Sequence, residues 1–156
     1  MIHFIEQGNI FTIDGVTSYA HGCNCAGAMG KGIALQFRRM FPQMYAEYQR
    51  MCRAGEFKPG DVFAFQYETG KYVFNLATQQ HYLRQYGQLA RLEWIRESVD
   101  KMLALAEEYG VTDIAMPAIG SGLGGLRWPD VHATLEAVAA DSRVTLHVVE
   151  NYNPNK

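Results

Sequence analysis

Two glycine-rich segments, each placed between a strand pattern and a helix pattern, constrain this chain more than any other feature. Residues 25–32 contain Gly27, Gly30 and Gly32, and residues 117–125 read Pro-Ala-Ile-Gly-Ser-Gly-Leu-Gly-Gly. Glycine lets the backbone turn sharply and approach a ligand closely, and the free N–H groups at the start of the following helix attract anions. Each segment is therefore predicted to cradle a phosphate group.

Neither segment fits the two commonest nucleotide-binding loops. Lys31 is followed by Gly32, whereas a triphosphatase loop has Ser or Thr at that place. Gly120, Gly122 and Gly125 satisfy the dinucleotide spacing, but the chain after them is too short for a further strand and helix that carry a ribose-binding acid. A tight glycine turn without a ligand is the alternative interpretation of this second segment.

Strand and helix patterns alternate along most of the chain. Strands are predicted at residues 2–6, 18–22, 62–66, 72–77, 112–116 and 144–148, and helices at residues 33–41, 42–54, 89–109 and 129–138. Polar stretches at residues 78–88 and 151–156 are interpreted as a loop and a tail. This order predicts one α/β domain over residues 1–156, with helices on both faces of a mixed, mostly parallel sheet of about six strands.

In a sheet of this kind, ligands bind beyond the carboxyl ends of the strands. Both glycine segments leave strands at those ends, so they are expected to meet at one crevice and to enclose a diphosphate from two sides. Polar residues follow the strands at the same edge. His81, Tyr82 and Arg84 lie in the polar loop near the predicted crevice mouth, although a loop this polar is often only a solvated connection.

Charge, hydropathy and cysteine content exclude several classes of protein. The 14 basic residues against 16 acidic ones give no broad basic surface for nucleic acid, so any polymer is expected to be recognised locally. The first residues lack a leader pattern and no apolar run is long enough for a membrane span, which predicts a cytoplasmic protein without a membrane partner. Three cysteines predict neither a disulfide framework nor a metal site.

Two polar residues beside the first glycine segment are candidates for a functional site. The Asn24 amide is able to donate to and accept from ribose hydroxyls, or else to support the turn through the local backbone. His21 is a candidate general base, although a histidine within a strand is more often packed or hydrogen-bonded. These two residues are the catalytic candidates.

The sequence resembles the macrodomain family in four segments that follow one another in the expected order. They are residues 8–11 (Gly-Asn-Ile-Phe), 21–25 (His-Gly-Cys-Asn-Cys), 29–37 (Met-Gly-Lys-Gly-Ile-Ala-Leu-Gln-Phe) and 117–128 (Pro-Ala-Ile-Gly-Ser-Gly-Leu-Gly-Gly-Leu-Arg-Trp). Within that family the sequence is most similar to the branch with terminal ADP-ribose protein glycohydrolase, the antitoxins that remove ADP-ribose from DNA, and the yeast-type ADP-ribose 1''-phosphate phosphatase.

The resemblance implies a three-layer α/β/α sandwich that binds ADP-ribose, or ADP-ribose attached to a protein or nucleic acid, and needs no cofactor. By position, Asn9 and Ile10 would border the adenine, and Asn24 would meet the distal ribose. Asn151 and Tyr152 would close over the adenine. The resemblance places the diphosphate between two sets of residues: Gly30, Gly32 and Ile33 on one side, and Gly120, Ser121, Gly122, Leu123 and Gly124 on the other.

The sequence departs from the family at the residues that carry the chemistry. The glycohydrolase and antitoxin members use a lysine that follows a threonine, but here Thr78 is followed by Gln79. The glycohydrolase also has an aspartate where Gly124 stands. The resemblance therefore implies a hydrolase without the lysine nucleophile, an ADP-ribose reader without turnover, or a phosphatase that uses His21 and the cysteine pair. The absence of an attached effector favours an enzyme.

Overall fold

The computed structural model describes residues 1–156 as a six-stranded sheet covered by four helices. The strands are β1 (Ile2–Gly8), β2 (Tyr19–Asn24), β3 (Val62–Glu68), β4 (Lys71–Gln79), β5 (Asp113–Pro117) and β6 (Thr145–Tyr152). The helices are α1 (Gly32–Met40), α2 (Pro42–Arg53), α3 (Leu92–Tyr109) and α4 (Trp128–Ala139). Short 3-10 turns occupy Ile10–Thr12, Arg84–Tyr86 and Gly122–Gly124.

The sheet has the strand order β1-β6-β5-β2-β4-β3. All neighbouring strands run parallel except β3 and β4, which form the antiparallel hairpin at one edge. The predicted α/β class and the mixed, mostly parallel sheet of six strands are confirmed. The parallel arrangement places the carboxyl ends of β2, β4 and β5 at one edge of the sheet.

Two apolar cores lie on opposite faces of the sheet and explain the three layers. Helices α3 and α4 pack on one face, where Ile95, Leu135 and Phe74 of β4 belong to one buried apolar cluster. Helices α1 and α2 pack on the other face, where Phe37 and Tyr48 belong to the second core. Because side chains of a strand alternate between faces, β2 contributes to both cores, and its residues are nearly all buried.

Helix ends follow the local sequence. Pro42 begins α2, where its missing N–H leaves no hydrogen bond unmade. Gly110 ends α3 with φ +74°, a left-handed conformation that glycine adopts without steric cost, and its N–H donates to the backbone oxygen of Ala106. None of the four helices combines the length and the apolar composition that a bilayer crossing requires.

Several predicted boundaries are wrong, for reasons that lie in strand pairing. The predicted polar tail begins at residue 151, but β6 continues to Tyr152 because Asn151 and Tyr152 pair with Gln7 and Gly8 of β1. Strand β2 likewise extends to Asn24, so this residue ends the strand and does not follow it. Helix α3 begins at Leu92 and not at residue 89, because the amides of Ala90 and Arg91 donate to the backbone oxygens of Gly124 and Thr78.

Candidate functional site

The carboxyl ends of β2, β4 and β5 open onto a cleft of about 490 Å³. The first glycine segment and the start of α1 line it through residues 28–34, and the second glycine segment lines it through residues 118–121, 123 and 124. Tyr82 and Leu83 from the loop after β4 complete it. The strand ends contribute six residues: Gly22, Cys23, Asn24, Thr78, Gln79 and Pro117. The predicted meeting of the two glycine segments at one crevice is confirmed.

The second glycine segment takes a backbone shape that requires glycine. Gly120 has φ +76°, and a Cβ built on it would lie only 2.5 Å from Cδ1 of Ile95. The N–H of Leu126 donates to the backbone oxygen of Gly120 at 2.9 Å and closes the turn. The loop is therefore held by contacts within the protein.

Backbone N–H groups on both sides of the cleft have no partner within the protein. On one side these are the amides of Gly30 and Lys31, and on the other side the amide of Ser121. The first-turn amides of α1, at Gly32 and Ile33, also have no intrahelical acceptor. Uncommitted amides at a helix N-terminus attract anions, so the cleft offers an anion-binding wall on each side.

Asn24 uses most of its amide to hold the first glycine segment. Its Oδ1 accepts hydrogen bonds from the backbone amides of Ala26 (3.0 Å) and Ala28 (3.2 Å), and its Nδ2 donates to the oxygen of Ala28 at 2.9 Å. The hydroxyl of Tyr48 lies 2.9 Å from the same Oδ1 and donates to the backbone oxygen of Asn24 at 2.7 Å. One Nδ2 hydrogen is left for a ligand, so Asn24 is able to orient a hydroxyl but not to act as a base.

Gln79 is the neighbour of Asn24 across the β2–β4 ladder. Its Nε2 donates to the backbone oxygen of His81 at 2.9 Å, which fixes the amide and leaves Oε1 without a donor. A Cβ built on Gly124 would lie 3.6 Å from this Oε1 and 3.0 Å from Cβ of Ala90. Gln79 and Gly124, the two positions at which this sequence differs from the branch that it resembles, therefore lie side by side. Ala90 occupies the space that a side chain at position 124 would need.

His21 is buried and does not line the cleft, contrary to its expected role as a general base. Its ring stacks on Phe37 at 4.0 Å between centroids, and Nε2 lies 2.7 Å from Oδ1 of Asn75. Burial lowers the pKa of His21 to about 4. The residue is part of the core under α1, because both faces of β2 are covered by helices.

The burial of His21 predicts acid sensitivity. The folded pKa lies below the ordinary value of 6.5, so the unfolded chain binds the proton more readily. The contribution of neutral His21 to the free energy of unfolding is complete above pH 6.5 and is lost as the pH falls towards 4. Urea titrations at pH 7 and pH 4.5 are expected to show that wild type loses about 2 kcal/mol more than His21→Gln. The exposed His3→Gln variant is the control, and an equal loss in all three proteins would contradict this assignment.

The cysteines near the cleft are protonated thiols. Burial raises the pKa of Cys23, which lines the cleft, well above its ordinary value. Burial raises the pKa of Cys25 to about 12. Because the thiolate is the nucleophilic form, neither residue is activated for covalent catalysis at neutral pH.

The predicted adenine residues lie together outside the cleft. Asn9 caps the first 3-10 turn and donates to the oxygen of Pro154 at 3.3 Å, while Ile10 is fully buried. Asn151 donates to the oxygen of Glu6, and the Tyr152 hydroxyl donates to Oε1 of Gln36 on α1. The pairing of β1 with β6 thus brings the four residues to one end of the sheet beside α1.

The sequence of residues 20–135 matches the Macro domain family. The chain is a macrodomain. The solved structure of the macrodomain of Mycobacterium tuberculosis DarG superposes on it with a TM-score of 0.83 at 30% identity, over 96% of this chain and 97% of that chain. The DNA ADP-ribosyl glycohydrolase of Thermus aquaticus is 34% identical over 156 residues, which cover 96% of this chain and 41% of that protein.

A second relative matches over nearly its full length. The ADP-ribose glycohydrolase OARD1 of Homo sapiens is 28% identical over 145 residues, covering 92% of this macrodomain and 89% of OARD1. By contrast, this macrodomain spans less than half of the Thermus relative. It is thus related to ADP-ribosyl glycohydrolases at modest identity.

The cleft of this macrodomain also contains residues that the sequence patterns do not indicate. Thr78 and Met29 line it although both are nearly fully buried, and Leu83 lines it from the loop after β4. Gly122, which was expected among the diphosphate residues, does not line it. Only the position of Thr78 at a strand end signalled its place in advance.

Proposed function

We propose that this macrodomain binds an ADP-ribosyl group in the cleft and hydrolyses the bond that links it to a protein or nucleic acid, without a lysine nucleophile. The observation that carries the proposal is the pair of opposed walls with unpartnered amides, from Gly30 and Lys31 on one side and Ser121 on the other. Because the two walls face each other across one cleft, each is able to bind one phosphate of a diphosphate. The names of the relatives supply the ligand and the reaction class.

The proposed position of the diphosphate also sets the positions of the distal ribose and the adenine. Gly30, Gly32 and Ile33 would bind one phosphate. The second glycine segment would bind the other through Ser121 and Leu123, which line the cleft, with Gly120, Gly122 and Gly124 shaping the turn. The distal ribose would lie against Asn24, whose remaining Nδ2 hydrogen donates to a hydroxyl. The adenine would lie towards the β1–β6 end, bordered by Asn9, Ile10, Asn151 and Tyr152.

The chemistry of the cleft limits the mechanism. Its lining contains no carboxylate and no imidazole, and Lys31 is its only amine. We infer that water attacks the anomeric carbon of the distal ribose, the bond to the macromolecule breaks, and the macromolecule leaves with a proton. The free Oε1 of Gln79 would accept a hydrogen bond from that water and orient it. A phosphate oxygen of the substrate would take the proton that the water loses and pass it to the departing macromolecule.

A reader without turnover is the second candidate. The same lack of an acid or base in the cleft favours it, because proton transfer by a side chain contributes about 10²–10⁴-fold to a rate and is missing here. The phosphatase hypothesis loses its support, since it depends on His21, which is buried away from the cleft, and on cysteines that stay protonated.

Incubation with three substrates separates these functions. The protein is mixed with ADP-ribosylated protein, ADP-ribosylated DNA and ADP-ribose 1''-phosphate, and the products are followed over time, while calorimetry measures ADP-ribose binding. Release of ADP-ribose from either macromolecule is expected. Gln79→Ala is expected to lower kcat by at least tenfold with little change in ADP-ribose affinity, because an oriented water is lost while the diphosphate walls stay.

Gln88→Ala, an exposed glutamine of the same loop, is the matched control and is expected to behave like wild type. Tight ADP-ribose binding without release from any substrate would establish the reader. Phosphate release from the third substrate would revive the phosphatase. A protein that does not bind ADP-ribose would contradict the proposed function in all its forms.

A further inference from the structure

Exposed apolar side chains concentrate at the mouth of the cleft. Seven large apolar or aromatic residues are exposed in the whole chain, and four of them lie on the two loops that frame the mouth. They are Tyr82 (51% exposed), Leu83 (43%), Tyr86 (67%) and Leu123 (69%). Such a concentration beside a cleft is typical of a surface that contacts a partner.

The segments that line the cleft contain no acidic residue. No Asp or Glu occurs in residues 15–46, 69–92 or 114–129, which contain every residue that lines the cleft. Lys31, Arg84 and Arg127 are exposed there and form no salt bridge. The segments that line the cleft thus contribute basic side chains and no carboxylate, which favours an anion there.

The aromatic residues of this edge are held in a defined arrangement. The ring of His81 stacks on Tyr82 at 4.4 Å and lies 5.4 Å from Tyr86. His81 Nδ1 accepts from the amide of Leu83, and the amides of residues 80 and 81 donate to the oxygen of Gln88. These bonds fix the base of the loop, so the rings lose little freedom when a partner stacks on them.

We infer that Tyr82, Leu83, Arg84, Tyr86 and Leu123, the mouth surface, dock single-stranded nucleic acid beside a nucleotide that carries the ADP-ribosyl group. The inference rests on the proposed function, because the ADP-ribosyl group must occupy the cleft. The distal ribose would lie near Gln79 at the end of β4, and the mouth surface begins three residues later. The attached macromolecule must therefore leave the cleft across it.

Single-stranded nucleic acid fits this surface better than an acidic or neutral peptide does. Every base offers a flat face to an aromatic ring, and every linkage offers a phosphate to a guanidinium. Stacking requires exposed rings, which Tyr82 and Tyr86 provide, and phosphates require the absence of carboxylates, which the sequence of these segments provides. The surface is small, which is consistent with local recognition by a chain without a broad basic field.

Three probes test the inference: ADP-ribose, a short single-stranded oligonucleotide with one ADP-ribosylated base, and a peptide with one ADP-ribosyl group. Affinity is measured as Kd, or as KM where the probe is hydrolysed. The oligonucleotide is expected to bind about tenfold or more tighter than ADP-ribose, since one stacked base contributes about 1–3 kcal/mol. Tyr86→Ala is expected to remove that advantage, Tyr86→Phe to keep it, and both to leave ADP-ribose affinity unchanged.

Salt dependence isolates the phosphate contact. Arg84→Ala is expected to reduce the slope of log affinity against log salt by about 0.7 for the oligonucleotide, whereas Arg53→Ala, an exposed arginine on α2, leaves it unchanged. Equal affinities for the oligonucleotide and ADP-ribose would overturn the inference and leave the proposed function intact. A peptide that gains the same advantage from Tyr86 would overturn it in favour of a protein partner. Loss of ADP-ribose binding itself would overturn both.

Discussion

Replacing Asn24 with alanine is expected to lower the free energy of unfolding by about 3 kcal/mol and to abolish measurable ADP-ribose binding. The substitution removes the acceptor of the Ala26 and Ala28 amides and the donor to the oxygen of Ala28, and each unsatisfied group costs about 1–3 kcal/mol. Thermal unfolding is expected to show a Tm lower by about 10 °C for a chain of this length. Calorimetry measures the loss of binding.

Asn24→Asp separates support of the loop from contact with the ligand. A carboxylate keeps the acceptor for both amides but removes the Nδ2 donor, and it places a negative charge beside the predicted diphosphate. We expect this variant to melt closer to wild type than Asn24→Ala does, while its ADP-ribose binding is still lost. Wild-type Tm in Asn24→Ala would show that the observed hydrogen bonds contribute little to the loop.

Ser121→Pro is the second substitution with a large expected effect, and it acts on the backbone. Proline removes the N–H that has no partner within the protein, and the φ of −91° at this position lies near the range that proline adopts. A hydrogen bond to a charged group contributes about 1.5–3 kcal/mol, so ADP-ribose affinity is expected to fall by about 10- to 100-fold. Calorimetry at constant salt measures the change.

Ser121→Ala is the matched control for the proline variant. Alanine keeps the N–H and loses only the hydroxyl, which donates to the oxygen of Ala118 at 2.9 Å and not to a ligand. Its affinity is expected to stay within about twofold of wild type, since the loss of one such bond costs about 1 kcal/mol or less of stability. If both variants bind ADP-ribose like wild type, the second glycine segment does not hold the diphosphate.

The fold and the meeting of the two loops could be predicted because both depend on local pattern. Alternating strand and helix periods give the layers, and glycine segments after two strands give the crevice. The length of a strand could not be predicted where pairing with a neighbouring strand determines it. Asn151 and Tyr152 fall in a polar stretch of the sequence, yet pairing with β1 keeps them in β6.

The role of individual side chains was harder to predict than the place of the loops. His21 lies in a central strand whose two faces are both covered, and no local pattern tells a buried histidine from one that faces a cleft. The sequence shows that Gln79 and Gly124 differ from the resembling relatives. Only the structure shows that these positions are neighbours, because their contact joins segments 45 residues apart in the chain.

Helix α2 does not line the cleft, yet its side chains hold the first glycine segment by hydrogen bonds. Tyr48, fully buried, donates to the backbone oxygen of Asn24 at 2.7 Å, and Gln49 donates to the oxygen of Gly27 at 3.2 Å. The segment therefore already has a fixed conformation before any ligand arrives. Association then orders little additional chain, so most of the contact energy is available as affinity. A substitution at Tyr48 is therefore expected to weaken ADP-ribose binding, although Tyr48 does not line the cleft.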